Sequence, residues 1–481
     1  MEKTPPRITE DWLAVWIGLS LFVLALAGLA GADLLGWAVT TSVWTSVGKA
    51  LGTVSKTYAG VPGLAALAAT YAFLALVLAV GARALGAPAG RFFKGFTAVF
   101  FLSYACWIVG SWAYIAATSD KLKNYGIGWS LNLTNESGFI IALLAGLLVG
   151  NFFPKAAEAM KEAVRPELYV KTAIVILGGY LGVTAAEQLG LATSVMFRGL
   201  CAIIEAYLIY WALVYLIARK YFKFSREWAA PLASGISICG VSAAIATGSA
   251  IKARPVVPVM VSSLVVIFAV VELLFLPFLA QAFLFQEPMV AGAWMGLAVK
   301  TDGAAVASGA IADSLIRAKA LATQGVAYQP GWIMGTATTV KVFIDIFIGV
   351  WAFILAWIWA AKIEPRPGEK VRAGQIWERF PKFVLGYMAA FAVVLAIGLL
   401  TPGALGKAKA AMAQANVFRG IFFVMTFFTI GVVSNFRKLW EEGIGRLALV
   451  YILCLFGFII WIGLAISWLF FHGVKPPVLQ G

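Results

Sequence analysis

Uncharged apolar runs of about 20 residues recur along almost the whole chain, from Trp12 to beyond Ile460. Wound as a helix rising about 1.5 Å per residue, a run of that length crosses the roughly 30 Å of hydrocarbon in a bilayer. The strands of a membrane barrel would instead alternate in polarity over about 10 residues. Hydrophobic residues fill 62% of the 481 positions and charged residues 12%, which excludes an ordinary soluble domain. The sequence therefore predicts an all-α polytopic membrane protein. The run from Trp12 to about Ala30 is too long for a secretory h-region, so it is expected to be a retained helix.

Thirteen transmembrane helices are expected, at about 12–31, 62–82, 95–118, 138–153, 172–187, 198–218, 228–250, 256–280, 292–311, 331–361, 383–401, 416–434 and 447–471. With the N-terminus cytoplasmic, 22 of the 37 basic residues fall on inside segments and 11 on outside ones, as the positive-inside rule requires. The expected location is the cell inner (plasma) membrane, multi-pass. The net charge of +15 then reads as topology signal and lipid contact, with no nucleic-acid partner expected. Residues 362–382 form the one long charged linker and are expected to be cytoplasmic.

Cys106, Cys201, Cys239 and Cys454 all lie in apolar runs with no paired spacing, and His472 is the single histidine. Neither a disulfide framework nor a zinc or haem ligand set is indicated, so no metal and no cofactor is expected.

One stretch departs from lipid-facing composition: "GISICGVSAAIATGSA", residues 235–250, holds three glycines and three serines. A partner lies 61 residues later, "GLAVKTDGAAVASGAI", residues 296–311, with Gly235/Gly296, Ala243/Ala304, Ala244/Ala305, Ala246/Ala307 and Gly248/Gly309 identical. Small residues let helices approach closely, and that reading accounts for the likeness by packing alone. The alternative is a pair of interrupted helices at a transporter's midplane site, where backbone leaves the helical ladder only against protein or a wet cavity. The span order sends both stretches across the membrane in one direction, whereas an inverted repeat would oppose them. Either one stretch is re-entrant, or the likeness is packing chemistry.

With a break at Cys239-Gly240, Ser242 is expected to cap the following half-helix, whose N–H groups make an anion site to which Ser237 adds a hydroxyl. The second stretch places Lys300, Thr301 and Asp302 where lipid-facing helices tolerate no charge. Lys341 and Asp345, one helical turn apart, can pair with each other. Glu205 and Glu272 complete the intramembrane acids. For all of these charges a structural ion pair or a snorkelling side chain is the competing reading.

"SGISICGVSAAIAT" (234–247) resembles the signature of a family of bacterial membrane proteins named as sulfate exporters. "GLLVGN" (146–151), "VILGGYLGVTAAEQLG" (175–190), "WMGLAVKTDGAAVASG" (294–309), "ATTVK" (337–341) and "FFTIGVVSNFRKLWEEG" (427–443) follow in the family's order. The resemblance covers about 138–471. It implies a fold similar to the cation/proton antiporter and anion transporter superfamily: a ten-helix core of two inverted five-helix repeats, with crossed, broken helices. Residues 1–137 would then be three additional N-terminal helices. The chain departs from the family at Thr301, where His usually precedes Asp302, and at Ile344, where a basic residue is usual.

The expected function is secondary active transport, as an exporter, of a small anion such as sulfate, sulfite or a sulfonate, by alternating access and without enzymatic activity. Ser237, Cys239, Gly240, Ser242, Lys300, Thr301 and Lys341 are the expected substrate-binding residues. Asp302 and Asp345 are expected to carry the coupling ion, H+ or Na+. The expected partners are the anion, the bilayer and, for the assembly, a second copy in a homodimer. The rivals are a sodium- or proton-coupled organic anion symporter, an anion channel, and an intramembrane aspartyl enzyme using Asp302 and Asp345. The last is disfavoured because Asp302 lies in Thr-Asp-Gly and not in Gly-x-Gly-Asp.

Overall fold

The computed structural model describes residues 8–479, except 118, 132, 134, 136, 255, 364–373, 375, 376, 378, 379 and 435–444. Helix dominates it, as it must where backbone polar groups have no water to pair with. The first helices are α1 (Glu10–Leu26), α2 (Gly63–Ala84), α3 (Ala89–Gly110), α4 (Ser137–Phe152), α5 (Pro154–Met160) and α6 (Pro166–Glu187). A short antiparallel pair, β1 (Val39–Thr41) with β2 (Leu51–Thr53), lies between α1 and α2. Next come α7 (Leu189–Tyr221), α8 (Arg226–Ser237), α9 (Gly240–Ala250), α10 (Val256–Phe283), α11 (Pro288–Ala298) and α12 (Asp302–Gln324). The last are α13 (Trp332–Ile363), α14 (Phe383–Leu400), α15 (Pro402–Val433) and α16 (Gly445–Phe471).

Among the described residues ten helices are long and apolar enough to cross a membrane, or eleven if α4 and α5, bent by 112°, form one span. The expected count of thirteen is thereby corrected. The segments expected at 228–250 and 292–311 are not continuous helices but the pairs α8/α9 and α11/α12. The linker expected at 362–382 lies mostly outside the described residues.

The chain divides into two compact units. One comprises residues 1–192, 317–326 and 382–433. It is held by glycine contacts that only a missing side chain permits. A Cβ on Gly146 would lie 2.0 Å from the Phe428 carbonyl oxygen, and one on Gly178 2.3 Å from that of Tyr387. These are the small-residue approaches by which helices pack where lipid removes the hydrophobic drive.

The second unit comprises residues 193–316, 327–381 and 434–481. Within it α8 and α9 fold back on each other as a hairpin. At the open end Arg254 Nε lies 3.0 Å from Glu227 Oε1, and halfway along the Thr247 hydroxyl donates to Ser234 Oγ at 2.6 Å. Both pairs are centred between Gly240 and Val241, one residue beyond the turn at Cys239-Gly240. A straight continuation would hold residues 234 and 247 about 20 Å apart, at 1.5 Å per residue. Close approach is possible because Gly235 presents no side chain: a Cβ there would meet Val261 at 2.8 Å and the Gly240 carbonyl at 3.3 Å.

α11 and α12 also reverse direction, both packing against α13. Gly292 sits against the Ile333 carbonyl and Gly296 against that of Ala337, so α11 runs parallel to α13. Gly309 sits against Ala337, while Asp313 Oδ1 accepts from the N–H groups of Gly331 and Ile333 at 3.1 Å each, so α12 runs antiparallel to α13.

α10 connects the open ends of the two hairpins. Near its start Pro258 packs on Gly248, further along Val265 packs on Gly240, at mid-length Glu272 accepts from the Lys300 N–H, and near its end Gln281 donates to the Leu315 carbonyl. The hairpins therefore enter from opposite ends of α10 and meet at its middle. In place of the expected crossing of broken helices each stretch is a hairpin, so the direction that the span order gave to the two does not apply.

Candidate substrate and ion site

The first helix of each hairpin ends at an equivalent place, α8 at Ser237 and α11 at Ala298, the same 61-residue offset that aligns the sequences. Ile238 (φ −105°, ψ −86°) and Cys239 (φ −143°, ψ 99°) then carry the chain out of the helix before α9 begins at Gly240. Cys239 is thus the N-cap residue, without a side-chain cap hydrogen bond, and the expected cap at Ser242 is corrected. Ser242 falls in the first turn of α9 because Gly240 can already begin the helix, its N–H being satisfied by the Lys300 carbonyl at 2.6 Å. In the second hairpin Thr301 supplies the cap, its hydroxyl accepting from the Ala304 N–H at 3.2 Å.

That Gly240–Lys300 hydrogen bond joins the tips. A Cβ on Gly240 would meet Val265 at 2.4 Å, Thr301 at 3.0 Å and the Lys300 carbonyl at 3.2 Å, so only glycine permits this approach. Ser237, Cys239, Lys300, Thr301, Asp302, Lys341 and Asp345 are all buried there, whereas Ser242 is half-buried.

Two charge clusters occupy the junction. In the first, the Cys239 thiol donates to Asp302 Oδ1 at 2.6 Å, and Cys239 Sγ and the Asp302 and Asp345 carboxylates lie within 4.8 Å of one another. Lys341 Nζ donates to the Ile238 carbonyl at 2.7 Å and lies 3.9 Å from Asp302 Oδ1. The sequence offers Lys341 to Asp345 on its own helix; the tertiary fold adds Asp302 from another, so that Lys341 faces both carboxylates. Three donors of this kind could hold a metal ion, but the ammonium of Lys341 already supplies a cation beside them.

In the second cluster Lys300 Nζ donates to the Leu297 carbonyl and stands 4.5 Å above the Tyr210 ring. Glu272 Oε2 accepts from the Lys300 N–H at 3.0 Å, and Glu272 Oε1 from the Tyr451 hydroxyl at 3.4 Å. Glu205 is fully buried beside Tyr210, whose hydroxyl donates to the Ile459 carbonyl at 2.7 Å. Each lysine therefore holds a carbonyl at the C-terminal end of a half-helix, where the dipole is negative, while Asp302 opens α12, where it is positive.

Glu205 and Tyr210 bound a π-helical turn in α7, and Ile459 ends another in α16. Such turns are frequent at functional sites. Tyr207, Tyr210 and Tyr451 were not singled out in the sequence, since an aromatic in an apolar run carries no signal of its own; Glu205 and Glu272 were, through their charge.

Ten or eleven helices long and apolar enough to cross a bilayer among the described residues, with buried charge gathered where two hairpin tips meet, define a polytopic membrane protein. The family model for conserved hypothetical protein 698 matches residues 94–450, and the chain belongs to that family. It is 42% identical over 476 residues to a UPF0324 membrane protein of Nitrosomonas europaea, covering 98% of this chain and 97% of that one. It is 53% identical over 175 residues to an uncharacterized protein of Archaeoglobus fulgidus, covering 32% of this chain and 94% of that one. A UPF0324 membrane protein of Nitratidesulfovibrio vulgaris is 29% identical over 425 residues, covering 84% of this chain and 64% of that one. No solved structure matches.

Proposed function

We propose that this protein is a secondary active transporter of a small anion, with sulfate, sulfite or a small sulfonate as first choice, working by alternating access at the hairpin junction. The observation that carries the reading is the meeting of the two oppositely inserted tips at Gly240 and Lys300 amid buried charges. Irregular backbone at membrane depth is tolerated where it serves a binding site, and half-helix N-termini there face anionic groups. α9 begins at such an end without a side-chain cap, and Lys300 and Lys341 are the cations within reach.

The two hairpins, on this reading, are the centres of an inverted repeat, and the membrane is the cell inner membrane with the N-terminus cytoplasmic. Basic residues favour that orientation. With 228–250 re-entrant, Lys252 and Arg254 move to the inside, giving 24 of the 37 basic residues inside and 9 outside. The assembly in the membrane is proposed to be a homodimer.

Counterflow of labelled sulfate and sulfite in proteoliposomes tests the reading. Saturable flux that falls in Lys300→Ala and Ser242→Ala supports it, and unchanged flux in both variants dismisses the site.

A further inference from the structure

α7 and α13 run side by side in the second unit. Tyr207 packs on Phe347 and Trp351, and Trp211 on Trp351, with ring centroids 5.2 to 6.5 Å apart. These partners are offset by 140 to 144 residues, so the two helices run in one direction, and the same register sets Lys220 beside Lys362. Towards that end Tyr215 and Ile363 pack against one apolar cluster that contains Trp359.

Beyond this cluster Lys220, Lys223 and Lys362 are exposed. The neighbouring charges are engaged within the chain: Glu227 accepts from Arg254 at 3.0 Å, while Arg219 and Arg446 donate to the Phe224 and Phe222 carbonyls. Lys223 holds φ 57°, a left-handed conformation that glycine adopts without steric cost. A lysine stands there in spite of the strain, and like charges gathered at one helix end repel unless an anion lies among them.

Between the same two helices, nearer their middles, lies an apolar groove of about 180 Å³. Ile204, Tyr207 and Leu208 line it from α7, and Phe347, Trp351 and Ile354 from α13. Ile204, Leu208, Phe347 and Ile354 are exposed at its rim. A cavity of about 150 Å³ takes a benzene-sized guest, whereas pockets for larger ligands run to about 300–1,000 Å³, so the groove suits a stretch of hydrocarbon. From Leu208 to Lys220 a helix rises about 18 Å, and from Ile354 to Lys362 about 12 Å. These distances bracket the roughly 15 Å half-thickness of the hydrocarbon layer. A headgroup held by the lysines therefore places its acyl chain at the groove.

We propose that an anionic phospholipid of the bilayer binds here, its phosphate among Lys220, Lys223 and Lys362 and one acyl chain in the groove between α7 and α13. Basic pockets between transmembrane helices at the cytoplasmic face, where the proposed topology puts these lysines, bind such headgroups. A second copy fits the apolar walls less well: a two-fold axis along the membrane normal brings equal depths together, so the lysines of one copy would meet those of the other. The bound chain lies against Tyr207, whose hydroxyl donates to the Ile344 carbonyl at 2.6 Å, one residue before Asp345. The lipid thereby touches a wall of the candidate site. Its binding does not depend on whether an anion is carried.

Native mass spectrometry of the purified full-length protein, titrated with phosphatidylglycerol or with phosphatidylcholine of the same acyl chains, tests this. Phosphatidylglycerol is expected to bind at least about tenfold more tightly. Lys223→Gly, which removes the charge and suits the left-handed backbone, and Lys362→Gln should each weaken phosphatidylglycerol about fivefold and leave phosphatidylcholine unchanged. Leu208→Trp, which fills the groove, should weaken both lipids. Phosphatidylglycerol with a photoreactive group in its chain should label residues 203–208 and 347–354. Equal affinity for the two lipids, a preference unaltered in Lys223→Gly and Lys362→Gln, or labelling confined to other helices overturns the proposal. So does an intermolecular disulfide from Ile204→Cys in native membranes, which gives the groove to a second copy. If a variant fails to fold, the lipid comparison and the photolabelling of the unaltered protein still decide.

Discussion

The Gly240 N–H donates to the Lys300 carbonyl at 2.6 Å, joining two helical hairpins at their tips. A methyl group at Gly240 has no room, lying 2.4 Å from Val265 Cγ1. Gly240→Ala is expected to lower stability by about 1–3 kcal/mol, the usual cost of overpacking. Gly406→Ala, where nothing lies within 4 Å, is the control and should leave the unfolding midpoint unchanged or slightly raised. Thermal unfolding in detergent checks both, and equal midpoints for the two variants would contradict the tip geometry.

Asp313 ties the second hairpin to α13 by accepting from Gly331 and Ile333. Asp313→Ala strands these buried donors and is expected to cost about 1–3 kcal/mol. Asp313→Asn keeps one acceptor oxygen and should fall between. A denaturation series reads the order; Asn performing no better than Ala would remove the capping role.

Lys341 is buried with Asp302, 3.9 Å apart. Lys341→Ala leaves carboxylates without their cation and should destabilise by about 3–5 kcal/mol, the cost of breaking a buried pair. In the double variant Lys341→Ala/Asp302→Asn part of that loss should return. Simple additivity in the double-mutant cycle would show that the two do not interact.

At the open end of the first hairpin, hydrogen bonds from Arg254 hold the Glu227 carboxyl below its ordinary range. A depressed acid contributes stability in full above its unfolded value, and that contribution is lost as pH falls through the folded one. Glu227→Gln should therefore flatten the acid limb of the stability profile by lowering stability in the neutral region, the two proteins converging at pH values below the folded one of Glu227. An unaltered acid limb would mean that the pair is not formed in solution.

Much of this was legible in the sequence, through period and composition. Runs of about 20 apolar residues gave the helical bundle, and the glycines and serines at 235–250 gave the first break to within one or two residues. The 61-residue offset located the second. What the residues could not give was direction. A helix that stops at Ser237 can resume in line or fold back, and only contacts distant in sequence, Ser234 with Thr247 and Gly309 with Ala337, distinguish the two. The second partner of Lys341 was obscured for the same reason, because Asp345 is near in sequence while Asp302 is brought near by the second hairpin. Tyr210 and Tyr451 gain their roles from where their hydroxyls end, which no local pattern encodes.

Everything proposed for the site requires α8 and α9 to lie side by side. The direct measurement is oxidative cross-linking of Ser234→Cys/Thr247→Cys in native membranes, with the bridged peptides mapped by mass spectrometry. Since the native hydroxyl oxygens are 2.6 Å apart, a disulfide between positions 234 and 247 should form readily and leave the protein folded. No bridge at this pair would mean that α8 and α9 do not lie side by side and would contradict the account.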